Sequence, residues 1–238
     1  DAYDRSLALF RGADADLETV ITLSSLGVLS MNLDRFDDAE RYYTEALEIR
    51  LGIDSRPNAQ TANIYSNLGK VLFLIDRPEE ARSRLVDSIQ MHIDVFGSEH
   101  FTVAYPTATL ARLESKQGRH GDAVSLASRA VELMEIQFGP QHPVSLTMRA
   151  QLGMSQVRGD QPAEAEATFR HCVDVIEAGE FQPSTHEFPV YAGLGKALDA
   201  LGRPGESRAA FEDALRRVPQ TDARAAEIRE HLARLDTD

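Results

Sequence analysis

The sequence predicts an all-α fold, a right-handed superhelical solenoid built from antiparallel helix hairpins. Three observations lead to this prediction. The chain matches itself at a constant offset of 42 residues, for example from Leu26 to Leu68. Within each unit, apolar residues recur at helical spacing in two stretches that flank a short polar turn. Small residues recur where the two helices of a hairpin would touch, which permits close packing.

The segment 25–50 shows one hairpin most clearly. Leu23, Leu26 and Leu29 mark an apolar stripe on its first helix, and Ala39 and Tyr43 belong to the stripe of its second helix. Equivalent residues follow at the 42-residue offset. The Leu-Gly pair at 26–27 returns as Leu68-Gly69, Leu110-Ala111, Leu152-Gly153 and Leu194-Gly195. Ala39 returns as Ala81, Ala123, Ala165 and Ser207.

Taken in order, the chain divides into five repeats with partial elements at its ends. Residues 1–15 align with the tail of a preceding second helix, so we expect a fragment of a larger protein. The repeats occupy 16–57, 58–99, 100–141, 142–183 and 184–221, and a polar-backed capping helix occupies 222–238, all in one solenoid. The helix pairs are expected at 17–32 and 37–51, 59–75 and 78–95, 101–117 and 121–138, 143–158 and 162–177, and 186–201 and 204–218, with the capping helix at 222–235.

Prolines and N-cap residues refine these boundaries. Pro78 suits the opening turn of a helix. Pro106 lies inside the first helix of the third repeat, where it should kink the helix or delay its start. His100 and His142 occupy a slot that precedes a first helix in every repeat, so we interpret both as N-caps. The other residues in this slot are Asp16, Asn58 and Ser184.

The spacing of Leu-Gly, a turn, Ala, an aromatic or aliphatic residue and Ala-Leu resembles the tetratricopeptide repeat (TPR), whose usual period is about 34 residues. The longer period and the helix endings EIRLGID, MHIDVFGSEH and MEIQFGPQHP resemble the kinesin-light-chain type of this family. The tryptophan that the family favours early in the first helix is absent. The resemblance implies a solenoid whose ligands bind in a concave groove lined by the first helices.

Composition excludes several classes of function. The net charge of −13 and the pI near 5.0 argue against a nucleic-acid partner, because phosphate neutralisation dominates such binding. No apolar run reaches the roughly 20 residues that a membrane span requires, so we expect no membrane insertion. The single cysteine allows no internal disulfide and fits a reducing, cytoplasmic location.

No catalytic or metal-binding pattern stands out. A metal site at His100 or His142 would need further ligands at suitable spacing. Cys172 replaces an alanine in a helix-contact slot, which favours buried packing over a reactive thiol. The acidic residues at 37–38, 79–80, 132 and 135 are interpreted as a solvated outer face. We therefore expect no enzyme activity, no metal and no cofactor within these residues.

The candidate binding residues lie on the first helices. The slot after the Leu-Gly pair holds Lys70, Arg112, Met154 and Lys196, and all three lysines of the chain fall on this face. Basic residues along a groove with acidic walls would attract an acidic segment, although ordinary solvated positions would give the same pattern. The predicted partner-binding residues are Asn63, Asn67, Lys70, Phe73, Leu74, Tyr105, Arg112, Lys116, Met154, Arg158 and Lys196.

These observations predict a non-catalytic scaffold that binds a partner peptide or domain in the concave groove. The resemblance to kinesin-light-chain grooves implies a peptide with acidic residues and apolar anchors. The slots with which chaperone-binding TPR proteins grip a C-terminal carboxylate match only at Asn67, so such a clamp is not expected. Two alternatives stay open: a regulatory or sensor segment of a larger bacterial signalling enzyme, such as a Ser/Thr kinase or an ATPase, and a homotypic assembly element that self-associates.

Overall fold

The structure, a computed structural model, describes residues 16–179, 187–218 and 222–235. These residues form eleven α-helices and one short 3-10 helix, and no strand occurs among them. The all-α fold class is therefore confirmed. The predicted tail at 1–15, the N-cap at Ser184 and most of the irregular linker at 178–183 lie outside the described residues.

Each predicted helix is present within a few residues of its expected bounds. In chain order the first helices and their partners are α1 (Asp16–Asn32) and α2 (Phe36–Ile53), α3 (Ala59–Leu74) and α4 (Pro78–Phe96), α5 (Ala104–Lys116) and α6 (His120–Phe138), α7 (Pro143–Arg158) and α8 (Pro162–Glu177), and α9 (Glu187–Ala200) and α10 (Pro204–Leu215). The capping helix is α11 (Ala223–Leu235).

The helices belong to two compact units, Asp1–Leu113 and Glu114–Asp238. In the first unit, α1 pairs with α2 and α3 pairs with α4, while α2 packs on α3 and α1 also contacts α3. In the second unit, each helix from α6 to α11 packs on the next, and α7 also contacts α9. Sequential helix-on-helix packing of this kind is the arrangement expected of stacked hairpins.

Glycines at the repeated small slot let the helices of a hairpin approach closely. A Cβ atom on Gly27 would lie 2.6 Å from the Tyr43 ring, and one on Gly69 would lie 2.8 Å from Cγ of Leu85. Both Tyr43 and Leu85 are fully buried. A larger residue at either glycine would therefore force the helices apart, as the sequence predicts.

The same contact recurs in the second unit. The Phe169 ring fills the space beside both Gly153 and Gly193, and the Phe211 ring lies against Gly195. Cys172 is fully buried in the cluster that surrounds Phe169. Its predicted role in packing is thus confirmed.

Three of the N-cap predictions are confirmed. The Asn58 side chain accepts a hydrogen bond from the Thr61 amide at 2.9 Å. Nδ1 of His142 accepts from the Val144 amide at 3.2 Å, and Nδ1 of His100 accepts from the amide two residues later at 3.4 Å. Both histidines satisfy amides that a helix start leaves without intrahelical partners.

Two helix boundaries follow from proline. Pro106 delays the start of α5 as predicted, because a 3-10 turn at Phe101–Val103 replaces the first turn of the expected helix. The second helix of the fifth repeat was predicted to extend to Val218 but ends at Leu215. Val218 precedes Pro219 in the sequence, and a residue before proline is disfavoured in the helical region, so the helix does not include Val218.

Two further predictions need correction. Asp16 was predicted to cap a helix but lies within the first turn of α1. Glu135 was assigned to a solvated face but is half-buried and forms an ion pair with Arg149 of α7. The arginine occupies the slot where other first helices carry Tyr65 or Tyr191, and its partner lies on the preceding second helix. A charge in a partly buried slot needs such a partner.

Candidate functional site

The sequence-predicted binding residues divide between the two units. The first unit holds Asn63, Asn67, Lys70, Phe73, Leu74, Tyr105 and Arg112, and the second holds Lys116, Met154, Arg158 and Lys196. In the first unit, we call the exposed sides of α1, α3 and α5 up to Leu113 the first-helix face.

Lys70 and Arg112 form a pair of neighbouring cations on the first-helix face. Burial by surrounding atoms lowers the pKa of Lys70, and the positive charge of Arg112 lowers it further. The residue as a whole nevertheless remains exposed to solvent. Lys70 forms no ion pair with any residue that the structure describes.

Arg112 is held in place by an aromatic ring. Its guanidinium carbon lies 5.0 Å from the ring centroid of Phe73, within the range of a cation–π contact. The contact joins α5 to α3 and leaves Phe73 half-buried. Phe73 therefore helps to position the guanidinium of Arg112.

Further polar and apolar side chains lie on the same two helices as this basic pair. Asn63 is exposed and Asn67 is half-buried on α3. Leu74 is 39% exposed and Tyr105 is 47% exposed. The first-helix face thus carries hydrogen-bonding groups, positive charge and exposed apolar surface.

Sequence reasoning did not select the apolar side chains of α1. Leu17, Ile21 and Val28 are 48%, 57% and 46% exposed. By the 42-residue register, Ile21 occupies the slot of Asn63 and Val28 occupies the slot of Lys70. The sequence feature that could have indicated these exposed side chains is that α1 carries no charged residue after its first turn.

In the second unit, the capping helix already binds one of the predicted cations. Nζ of Lys196 lies 2.6 Å from Oε1 of Glu227 on α11. This hydrogen bond lowers the pKa of Glu227, and the charge of Arg158 contributes a weaker effect in the same direction. Lys116 is exposed, whereas Met154 is partly buried and packs against the apolar core around Phe169. The predicted residues of this unit thus include one ion pair within the protein and one core contact.

The turn arginines also form ion pairs within the protein. Arg77 bridges Glu40 of the preceding repeat and Glu80 of its own. In the second unit, Arg203 bridges Glu166 and Glu206 at 2.7 and 2.6 Å. These arginines join adjacent repeats, which distinguishes them from Lys70.

The described residues also bear on metal binding, thiol chemistry and membrane crossing. Across the described ranges, no group of three or more His, Cys, Asp or Glu side chains is placed to hold a metal ion. Burial raises the pKa of the Cys172 thiol to about 12, so it carries a proton at neutral pH. None of the described helices has the length and apolarity that crossing a membrane demands.

Comparison with known proteins is consistent across sequence and structure. A curated human relative, tetratricopeptide repeat protein 23, is 22% identical over 165 residues, which are 66% of this chain and 37% of that protein. The chain thus spans little more than a third of that relative. The crystal structure of BtubC (BKLC) from P. vanneervenii superposes with a TM-score of 0.77 at 18% identity and covers 93% of this chain and 94% of that one.

A putative kinesin light chain from Podosopora anserina with nearly identical TPR-like repeats gives a TM-score of 0.71 at 17% identity, with 83% of this chain and 94% of that one covered. The predicted likeness to kinesin-light-chain repeats is confirmed at the level of the fold. Sequence models described as tetratricopeptide repeat match residues 18–94, 60–136, 102–178 and 188–221. These matches cover most of the sequence, and the chain belongs to the tetratricopeptide repeat family.

Proposed function

We propose that this chain is a non-catalytic, cytoplasmic protein-interaction module whose first-helix face binds an acidic segment of a partner protein. The observation that carries the proposal is the pair of neighbouring cations, Lys70 and Arg112, on a chain with a net charge of −13. Membership in the TPR family supports the general role, since these repeats commonly bind proteins.

Electrostatics favour an anionic ligand at this position. Two like charges repel each other, and partial removal of Lys70 from water adds a cost for its charged form. A carboxylate that contacts both side chains would relieve the repulsion and restore favourable solvation of the ammonium. The acidic remainder of the protein would repel the same ligand elsewhere, which favours a defined binding position.

Apolar contacts would supply much of the binding energy. Leu74 and Tyr105 offer exposed apolar surface on the helices that carry the cations, and the Phe73 ring contacts the guanidinium of Arg112. Buried aromatic and aliphatic anchors usually contribute more to affinity than exposed charges do. The proposed ligand is therefore an extended segment with at least one carboxylate and bulky apolar residues. Another domain of the same polypeptide would serve as well as a separate protein.

Selection from a random dodecapeptide phage library tests this proposal and does not require an identified partner. We expect enriched peptides to be acidic, and their binding to fall by about tenfold or more for Lys70→Glu/Arg112→Glu. The matched control is Arg41→Glu/Arg56→Glu, which changes the net charge equally at two other exposed arginines of the first unit. Peptides without acidic residues, or equal binding to both variants, would overturn the proposal. Loss of binding on Asp37→Lys/Glu79→Lys alone would place the partner on the outer face.

A further inference from the structure

Helix α1 exposes far more apolar surface than the equivalent helix α3. The exposed large side chains of α1 include Leu17, Ile21, Val28 and Leu29, and Leu33 follows in the turn after the helix. All five are more than 40% exposed. At helical spacing Leu17, Ile21 and Val28 share one face, and Leu29 lies on the adjacent face with Glu18 and Ser25 between them. We call these two faces together the apolar arc of α1, and after the first turn it carries no charged residue. Several exposed apolar side chains on one uncharged face of a helix make it a candidate interaction surface.

The repeat register separates this arc into two parts. Leu29 is equivalent to Val71, which is fully buried in the helix that packs on α2. Leu29 and the neighbouring Leu33 therefore occupy positions that stacking on a preceding helix covers. Ile21 and Val28 are equivalent to Asn63 and Lys70, which stay exposed when repeats stack. Stacking alone thus leaves Ile21 and Val28 uncovered.

The uncovered part lies next to the proposed acidic-segment site. Helix α1 contacts α3, and Val28 and Lys70 hold equivalent positions on these two helices. Axes of packed helices lie about 8–10 Å apart. An extended chain advances about 3.3–3.6 Å per residue, so it crosses from one helix to the next in about three residues.

We propose that Ile21 and Val28 form an apolar subsite of the first-helix face, which binds aliphatic side chains about three residues away from the carboxylate that Lys70 contacts. The partner is then a bipartite segment, aliphatic at one end and acidic at the other. This inference rests on the proposed function, because that function supplies the acidic end. Charge complementarity favours such a segment over a second copy of this acidic chain.

Defined peptides test the inference. The first labelled dodecapeptide carries two leucines, a two-serine spacer and three glutamates. A second has the order reversed, so that both directions of a segment bound along the first-helix face are tested. A third has serines in place of the leucines. We expect one of the leucine peptides to bind about tenfold more tightly than the serine peptide in anisotropy titrations, because its leucines bury apolar surface.

The matching protein variant is Ile21→Asn/Val28→Ser, in which Asn is the residue that α3 carries at the first of these slots. This variant should bind the leucine peptide no more tightly than the unaltered protein binds the serine peptide. Its affinity for the serine peptide should be unchanged. The control Val86→Ser removes a 47% exposed valine from α4 and should change neither affinity. Circular dichroism of each variant verifies that the helices are intact.

Three outcomes separate the two proposals. If the leucine peptides and the serine peptide bind with equal affinity but Lys70→Glu/Arg112→Glu abolishes binding, the apolar subsite is wrong and the proposed function stands. If no peptide binds the unaltered protein, the proposed function fails and the inference fails with it. If light scattering shows a dimer that Ile21→Asn/Val28→Ser converts to a monomer, a second copy covers α1 and the inference is overturned.

Discussion

The contact between Gly69 on α3 and Leu85 on α4 gives a sharp prediction about stability. An alanine Cβ at position 69 would lie 2.8 and 2.9 Å from two carbons of Leu85 and 3.3 Å from the carbonyl oxygen of Ala81. By sequence register, the third repeat carries Ala111 and Ala127 at these two slots. The chain thus places glycine opposite a large residue and alanine opposite alanine.

The magnitudes follow from this geometry. Gly69→Ala should cost about 1–3 kcal/mol through overpacking, which is offset by about 1 kcal/mol of helix propensity. Leu85 is fully buried, so Leu85→Ala should cost about 2–5 kcal/mol. In the double variant, the new methyl group occupies space that Leu85 leaves. The combined loss should therefore be smaller than the sum of the two losses by at least about 1 kcal/mol.

Urea unfolding followed by far-UV circular dichroism measures the free energy of unfolding of the unaltered protein, the two single variants and the double variant. The control is Gly52→Ala in α2, where the added Cβ would meet no atom within 4 Å apart from its chain neighbours and the backbone of its own helix. It should stabilise the protein by about 0.4–1 kcal/mol, because alanine restricts the unfolded chain. Losses that add to within about 0.5 kcal/mol, or a stabilising Gly69→Ala, would refute the packing argument.

Three further predictions concern burial and charge. Leu68→Ala should cost about 2–5 kcal/mol because the side chain is buried, whereas Arg77→Ala should cost far less because its ion pairs are partly exposed to solvent; equal losses in urea unfolding would show that inside and outside are reversed. Burial and the charge of His100 lower the pKa of His92, so its contribution to stability is present above the unfolded pKa of about 6.5 and is lost as the pH falls. His92→Gln should reduce that loss in urea midpoints, and an unchanged pH dependence would contradict the assignment. Mass spectrometry should show that iodoacetamide leaves Cys172 unmodified in the folded protein and alkylates it in urea, since burial keeps the thiol protonated; rapid modification of the folded form would exclude this burial.

The helices could be predicted because the repeat supplies the same local signals several times. Prolines at the first position fixed the starts of α7 and α8, and both helices have the predicted bounds. The slots of Asn58, His100 and His142 were recognised as caps by comparison with one another. Local backbone chemistry of this kind depends on few residues and can be derived from sequence.

Side-chain partners between elements were harder to derive. The pairing of Lys196 with Glu227 involves the capping helix, which lies outside the repeat register and so has no internal equivalent. The contact of Arg112 with Phe73 depends on rotamers of two neighbouring helices. The exposure of Ile21 depends on which elements cover α1, and periodicity alone does not specify this. The sequence thus indicated which helix faces were available but not which side chains were already bound.

Joint binding of an acidic segment by Lys70 and Arg112 on the first-helix face is the central claim. Its most direct test is an anisotropy titration of one selected acidic peptide against the unaltered protein, Lys70→Glu/Arg112→Glu and the control Arg41→Glu/Arg56→Glu, at low and high salt. We predict that the first variant binds about tenfold or more weakly and that its affinity depends less on salt, while the control retains both the affinity and the salt dependence. Equal weakening in both variants would show that net charge alone governs binding, and would contradict a defined site at these two residues.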